Sequence, residues 1–142
     1  MQPALFDSSV YISALRQDKN AVLAVRRLSA DTPLWLSSVV LEEIYAGTGE
    51  HEGRAVERLE RDFERARRIL VPNLTDWTRA GKVLAHLAEK YDYEQIGRGR
   101  LTNDALIAMS AGRVGITVWT MNERDFSKLA EFSPFRWQLT SF

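Results

Sequence analysis

Short apolar runs alternate with segments of helical periodicity from one end of this chain to the other, and that alternation leaves few architectures open to it. Ala4–Phe6 reads as a strand ending at Asp7, after which Val10, Ile12, Ala14 and Leu15 mark a helix opened by Asp7, Ser8 or Ser9. A second amphipathic stretch through Val22, Leu23, Val25 and Leu28 breaks at Asp31-Thr32-Pro33, before a second strand at Leu34–Leu36. Ser37 or Ser38 caps the next helix, through Val40, Leu41, Ile44 and Tyr45, which Gly47 and Gly49 terminate. From Glu50 to Arg68 the chain is highly charged, with Val56, Leu59 and Phe63 at the spacing of one narrow buried stripe, and Ile69–Val71 follows as a third strand.

A helix is expected from Asp76 to about Tyr91, started by Thr75 or Asp76, with Trp77, Ala80, Val83, Leu84 and Leu87 on its apolar side. Gln95–Arg100 reads as a flexible basic loop. Thr102–Ala111 is too uniformly apolar for a surface helix and is expected in the core, its end framed by Gly112 and Gly115. Gly115–Thr120 is the clearest strand, β-branched and aromatic, and runs into the polar segment Asn122–Asp125. Phe126, Leu129 and Ala130 suggest a short helix, and Phe135–Leu139 a terminal strand. Strands alternating with helices argue for an α/β fold with a parallel sheet, whose ligands bind outside the carboxyl ends of the strands. With 142 residues, 45% of them apolar, one domain spanning 1–142 is expected.

Nineteen basic residues balance nineteen acidic ones, so any polyanion must be handled locally rather than drawn in by overall charge. The absence of cysteine removes thiolate metal sites and thiol nucleophiles. His51 and His86 lie in different helical stretches and read as surface or edge residues, not as metal ligands. No basic leader precedes a long apolar core, and no run approaches ~18 apolar residues, so a cytoplasmic protein with no membrane contact is expected.

Four acids stand where strands end or helices lie against the expected sheet: Asp7, Glu43, Asp104 and Asp125. Gathered at one sheet edge, such carboxylates repel unless a cation neutralises them, and oxygen-only ligands suit Mg²⁺ or Mn²⁺. Each also has a plain structural role. Asp7 is a favoured helix cap, Asp104 sits in a first turn favoured by the helix dipole, and Asn122 and Asp125 suit a turn. Glu42 and Glu43 point about 100° apart, so only one faces the sheet edge, and periodicity leaves the choice open.

The segments LFDSSVYI, SSVVLEEIYAG, LTNDALIAMSA and VWTMNERDF together resemble the PIN domain, and within it the VapC-like toxin ribonucleases of type II toxin–antitoxin systems, over nearly the whole chain. The resemblance implies a three-layer α/β/α sandwich with a central, mainly parallel sheet. It also implies an endoribonuclease that hydrolyses RNA phosphodiester bonds with Mg²⁺, Mn²⁺ being a possible substitute. It selects Asp7, Glu43 and Asp104 as the metal-binding acids, with Glu43 preferred over Glu42. In the fourth position this chain has Asn122 where many members have aspartate, so either Asp125 supplies the charge or Asn122 acts through water. Ser8 and Thr120 become groups that orient ligands, and Arg98 and Arg100 the candidates for RNA contact. A cognate antitoxin and a homodimer, the latter through the first two helices, are the implied partners. A PIN-fold binding module with weak or lost nuclease activity is the main alternative. A receiver-like phosphoacceptor lacks its paired acids after the first strand, and a dehalogenase-type phosphatase lacks a second aspartate at Ser9.

Overall fold

The computed structural model describes residues 2–17, 31–49, 51–92 and 98–140, and of residues 17 and 98–100 the backbone alone. Its elements in chain order are β1 (Ala4–Phe6), α1 (Ser8–Gln17), β2 (Leu34–Ser37), α2 (Ser38–Gly47), α3 (Gly53–Arg65), β3 (Ile69–Leu70), α4 (Leu74–Tyr91), α5 (Arg98–Val114), β4 (Thr117–Thr120), α6 (Glu123–Ala130) and β5 (Trp137–Leu139). The five strands form one sheet in the order β3-β2-β1-β4-β5, and every neighbouring pair is parallel. With helices against it, the sheet forms the middle of an α/β/α sandwich. This order differs from the 2-1-3-4-5 order of receiver-like folds. The helix expected around Val22–Leu28 lies outside the described residues.

The strand order reverses at β1. The chain lays β2 and β3 on one side of it and β4 and β5 on the other, which leaves a crevice at the carboxyl ends of β1 and β4 where no crossover passes. Because Phe6 pairs with Trp119, the next residues on each strand, Asp7 and Thr120, reach that crevice together, and the Asp7 amide donates to the Trp119 carbonyl at 3.0 Å.

Parallel strands are buried on both faces, so they read as unbroken apolar runs. Accordingly Ala4, Leu5 and Phe6 are 4%, 0% and 3% exposed. α5 is the other core element: Leu101 and every residue from Asp104 to Ala111 are buried, as the helix packs against α4, α2, α6 and β4. The stripe read from the charged α3 sequence is the buried set found, Val56, Leu59 and Phe63.

α5 ends in a Schellman turn. Gly115 takes φ +75°, and the Ile116 amide returns to the Ala111 carbonyl at 3.0 Å. A Cβ at Gly115 would meet only Arg136 Nη2 at 3.6 Å, an ordinary contact. Gly115→Ala is therefore expected to cost about 1 kcal/mol through backbone conformation alone, read as a lower midpoint in chemical denaturation with an unchanged slope.

Three local readings are corrected. α4 starts earlier than Thr75 or Asp76: Asn73 is its cap, its side chain accepting from the Asp76 amide at 2.9 Å while the Asp76 carboxylate accepts from the Asn73 amide at 3.0 Å. Trp77 is 55% exposed rather than inward, because Asp76, Ala80, Val83 and Leu87 form the buried face. Arg98–Arg100, expected in a loop, begin α5, whereas residues 95–97 lie outside the described set.

Candidate metal centre

Asp7 follows β1 directly and caps α1. Its Oδ1 accepts from the Ser9 amide at 3.1 Å and from the Ser9 hydroxyl, and its Oδ2 accepts from Thr120 Oγ1 at 2.6 Å. The same two hydroxyls then accept from the chain leaving β4: Ser9 Oγ takes the Met121 amide at 3.3 Å, and Thr120 Oγ1 the Asn122 amide at 2.9 Å. This lattice ties the first turn of α1 to the end of β4 and leaves the Asp7 carboxylate one orientation. The capping role read from the sequence is thus real, and it coexists with a position at the sheet's switch point.

Asp7 is only 3% exposed, and burial raises its pKa above the ordinary value of 3.8 despite donors from Ser9, Thr120 and the Val10 backbone. Glu43, in the middle of α2, shows the same pattern. Burial raises its pKa first, the Ser8 and Asn103 side chains oppose that by hydrogen bonding, and the neighbouring charges of Asp7 and Glu42 raise it again. The helix that Asp7 caps packs against α2, and the charge of Asp7 is felt at Glu43. Glu43 Oε1 is buried and has no hydrogen-bond partner.

Asn122 and Asp125 form a closed pair at the start of α6. Asn122 Nδ2 donates to Asp125 Oδ2 at 2.7 Å, and Asn122 Oδ1 accepts from the Asp125 amide at 3.3 Å. Both polar ends of Asn122 are engaged, which makes it a clamp on Asp125 and on Thr120. Asp125 is 8% exposed and reaches Asp7 through the chain Asn122–Thr120. Asp104, 7% exposed, follows Asn103 on α5, so the residue before it touches Glu43. Sequence reasoning names Ser9 only as a possible opener of α1 and does not name Asn103; their signals are the cap spacing of Ser9 from Asp7 and the position of Asn103 beside an acid. The side chains of Arg98 and Arg100 are outside the described set. His51 and His86 are exposed, and His86 stacks on Phe132 with ring centroids 5.5 Å apart.

Among the described residues, no group of three or more His, Asp or Glu side chains is arranged to hold a metal ion. The pair Asp7 and Glu43 still fits a hard cation. Its donors are all oxygen, the Asp7 carboxylate is buried and that of Glu43 half-buried, burial raises both pKa values, and one buried oxygen lacks any donor. Mg²⁺ is commonly held by one or two carboxylates, with waters and substrate phosphates completing the shell.

A carboxyl whose pKa is raised by folding stabilises the fold below its ordinary pKa, and that contribution is lost as pH rises through the folded-state value. Glu43→Gln removes one of the two raised groups. In metal-free buffer it is expected to melt above the wild type at pH 8, the gap closing as pH falls towards 4.5, the ordinary value for glutamate. A gap that stays constant with pH would contradict burial of an ionised Glu43.

A family model described as the PIN domain matches residues 4–132. No curated protein matches the sequence. Among solved structures, the chain is similar to DNA-bound VapBC from Salmonella typhimurium at TM-score 0.68 and 22% identity, covering 98% of each chain. VapBC2 from Rickettsia felis, bound to a DNA fragment from its promoter, matches at TM-score 0.68 and 18% identity, covering 99% of this chain and 100% of that one. VapBC-1 from nontypeable Haemophilus influenzae matches at TM-score 0.63 and 22% identity, covering 96% and 97%. At these identities the likeness is one of fold.

Proposed function

This chain belongs to the PIN domain family, and from that premise we propose that it is a metal-dependent endoribonuclease acting as the toxin of a toxin–antitoxin pair. The observation that carries the reading is the unpartnered buried oxygen of Glu43 beside the buried carboxylate of Asp7. Asp7 and Glu43 hold Mg²⁺, or Mn²⁺ in its place, with Asp104 and Asp125 adding negative charge from α5 and α6. When bound, the cation neutralises charge on the scissile phosphate and lowers the pKa of the attacking water.

The protein's own part is orientation. Ser9 and Thr120 fix the Asp7 carboxylate, Ser8 supports Glu43, and Asn122 holds Asp125. Arg98 and Arg100, at the opening of the helix that carries Asp104, contact the phosphates of the RNA strand. The likeness to VapBC complexes supports a cognate antitoxin as partner. We read the active form as a cytoplasmic homodimer; no described helix is long and apolar enough to cross a membrane. A second reading, a binding module with weak or lost nuclease activity, draws on Asn122, which is neutral and has its side chain engaged with Asp125.

Incubating the purified chain with 5′-labelled single-stranded RNA, in Mg²⁺ or in chelator, tests the reading. Cleavage with Mg²⁺ that stops in chelator is the expected result. RNA binding without cleavage in Mg²⁺ or Mn²⁺ would favour the binding module.

A further inference from the structure

We propose that the solvent face of α3 is a docking track for single-stranded RNA, an inference that takes its ligand class from the nuclease reading above but stands on a helix that supplies none of the four acids. Arg54, Arg58, Arg61 and Arg65 follow one another at intervals of 4, 3 and 4 residues, and all four are exposed. At about 100° per residue they fall within roughly 60° of arc, on the side opposite the buried stripe of Val56, Leu59 and Phe63. At a rise of about 1.5 Å per residue they form a ridge about 16 Å long. Among the described residues, none of the four makes an ion pair.

The mixed signs along the sequence conceal this sorting. Like charges three and four residues apart oppose helix formation, and the ridge holds three such pairs in a row, which a merely solvated helix has no reason to carry. The acids lie to either side: Glu57, Glu60 and Glu64 on one flank, Asp62 on the other. Glu60 accepts from the Tyr45 hydroxyl at 2.7 Å, which pins α3 to α2, the helix that carries Glu43. A row of guanidinium groups between rows of carboxylates suits a ligand with one narrow line of negative charge. A single nucleic-acid strand has that form, its phosphates in a row and its sugars and bases uncharged, whereas a broad acidic protein surface would also meet Glu57 and Glu64. Every basic residue from 53 to 68 is arginine, whose planar fork binds phosphate oxygens in pairs. Because the net charge of the chain is zero, such a local ridge is what could hold a polyanion.

Binding of a fluorescein-labelled oligouridylate to the full chain, followed by anisotropy in chelator over a range of salt concentrations, tests the track without requiring cleavage. Each phosphate contact on a single strand contributes about 0.7 to the slope of log affinity against log salt, so Arg58→Gln/Arg61→Gln is expected to lower that slope by about 1.4 and to weaken binding by about 10-fold. Arg54→Gln/Arg65→Gln, at the two ends of the ridge, gives an independent pair with the same expectation; glutamine is a good helix former, so both are expected to melt with the wild type. Lys82→Glu, at an exposed position of α4, changes the net charge by the same amount and is expected to leave affinity and slope unchanged. Unchanged affinity and slope in both double variants, or an equal loss in Lys82→Glu, would overturn the inference and leave the nuclease reading standing. Unchanged RNA binding with weakened binding of poly-L-glutamate would assign the face to an acidic protein partner and likewise overturn it. A wild type that binds no RNA in chelator would overturn the track, while Mg²⁺-dependent cleavage by that same protein would keep the nuclease reading.

Discussion

Asp7→Asn is expected to lower the proposed metal-dependent RNA cleavage by on the order of 10³-fold while leaving the fold intact. The substitution is nearly isosteric, and asparagine is as good a helix cap as aspartate, so its carbonyl oxygen keeps the Ser9 amide that now donates to Oδ1 at 3.1 Å. Its amide nitrogen can donate to the Thr120 hydroxyl, reversing the present bond of 2.6 Å. What disappears is the charge. Burial already raises the pKa of Asp7, so the neutral variant is expected to melt no lower than the wild type in metal-free buffer. Single-turnover cleavage of a labelled RNA, paired with a melting curve, separates the two effects. Activity within a few-fold of wild type in a folded Asp7→Asn protein would remove Asp7 from the chemistry.

The largest stability effect is expected far from that crevice. Asp76 is fully buried, and Arg113 Nε donates to both of its oxygens, at 3.1 and 3.0 Å, from the last turn of α5. Arg113 Nη2 also reaches the Val71 carbonyl at 3.4 Å. Arg113→Ala would leave the buried carboxylate with the Asn73 amide as its remaining described donor. Removing one partner of a buried pair costs roughly 3–5 kcal/mol, and the lower end applies here because the arginine side chain is 32% exposed and water can partly replace it. For a chain of this size that corresponds to a melting temperature lower by roughly 10 °C. Adding Asp76→Asn to Arg113→Ala removes the stranded charge and keeps the cap, so the double variant should recover most of the loss. No recovery would mean that packing of the arginine stem, rather than the charge on Asp76, carries the effect.

Elements whose pattern is set by their own neighbours were legible in the sequence. The stripe of α3, the apolar β1 and the buried α5 each announce their burial through local composition. The meeting of Asp7 with Thr120 was legible one step later, since a parallel sheet brings strand ends together at its switch point. Contacts between distant segments were not. Arg113 and Asp76 are 37 residues apart, and nothing local distinguishes that arginine from its exposed counterparts. Asn103 carries no sequence signal, because an amide beside an acid has no periodic signature and it acts on Glu43 only once α2 and α5 pack together. Trp77 misled because apolar character was read as burial, whereas the capping box at Asn73 fixes the helix phase and turns the ring outward.

In the proposed enzyme Asp7 and Glu43 share one divalent cation. Calorimetric titration of Mn²⁺ into the wild type and into Glu43→Gln at pH 7 tests it most directly. One ion bound by the wild type, with affinity at least about 100-fold weaker in the variant, is the predicted result. Equal heats and equal affinity in the two proteins would contradict it.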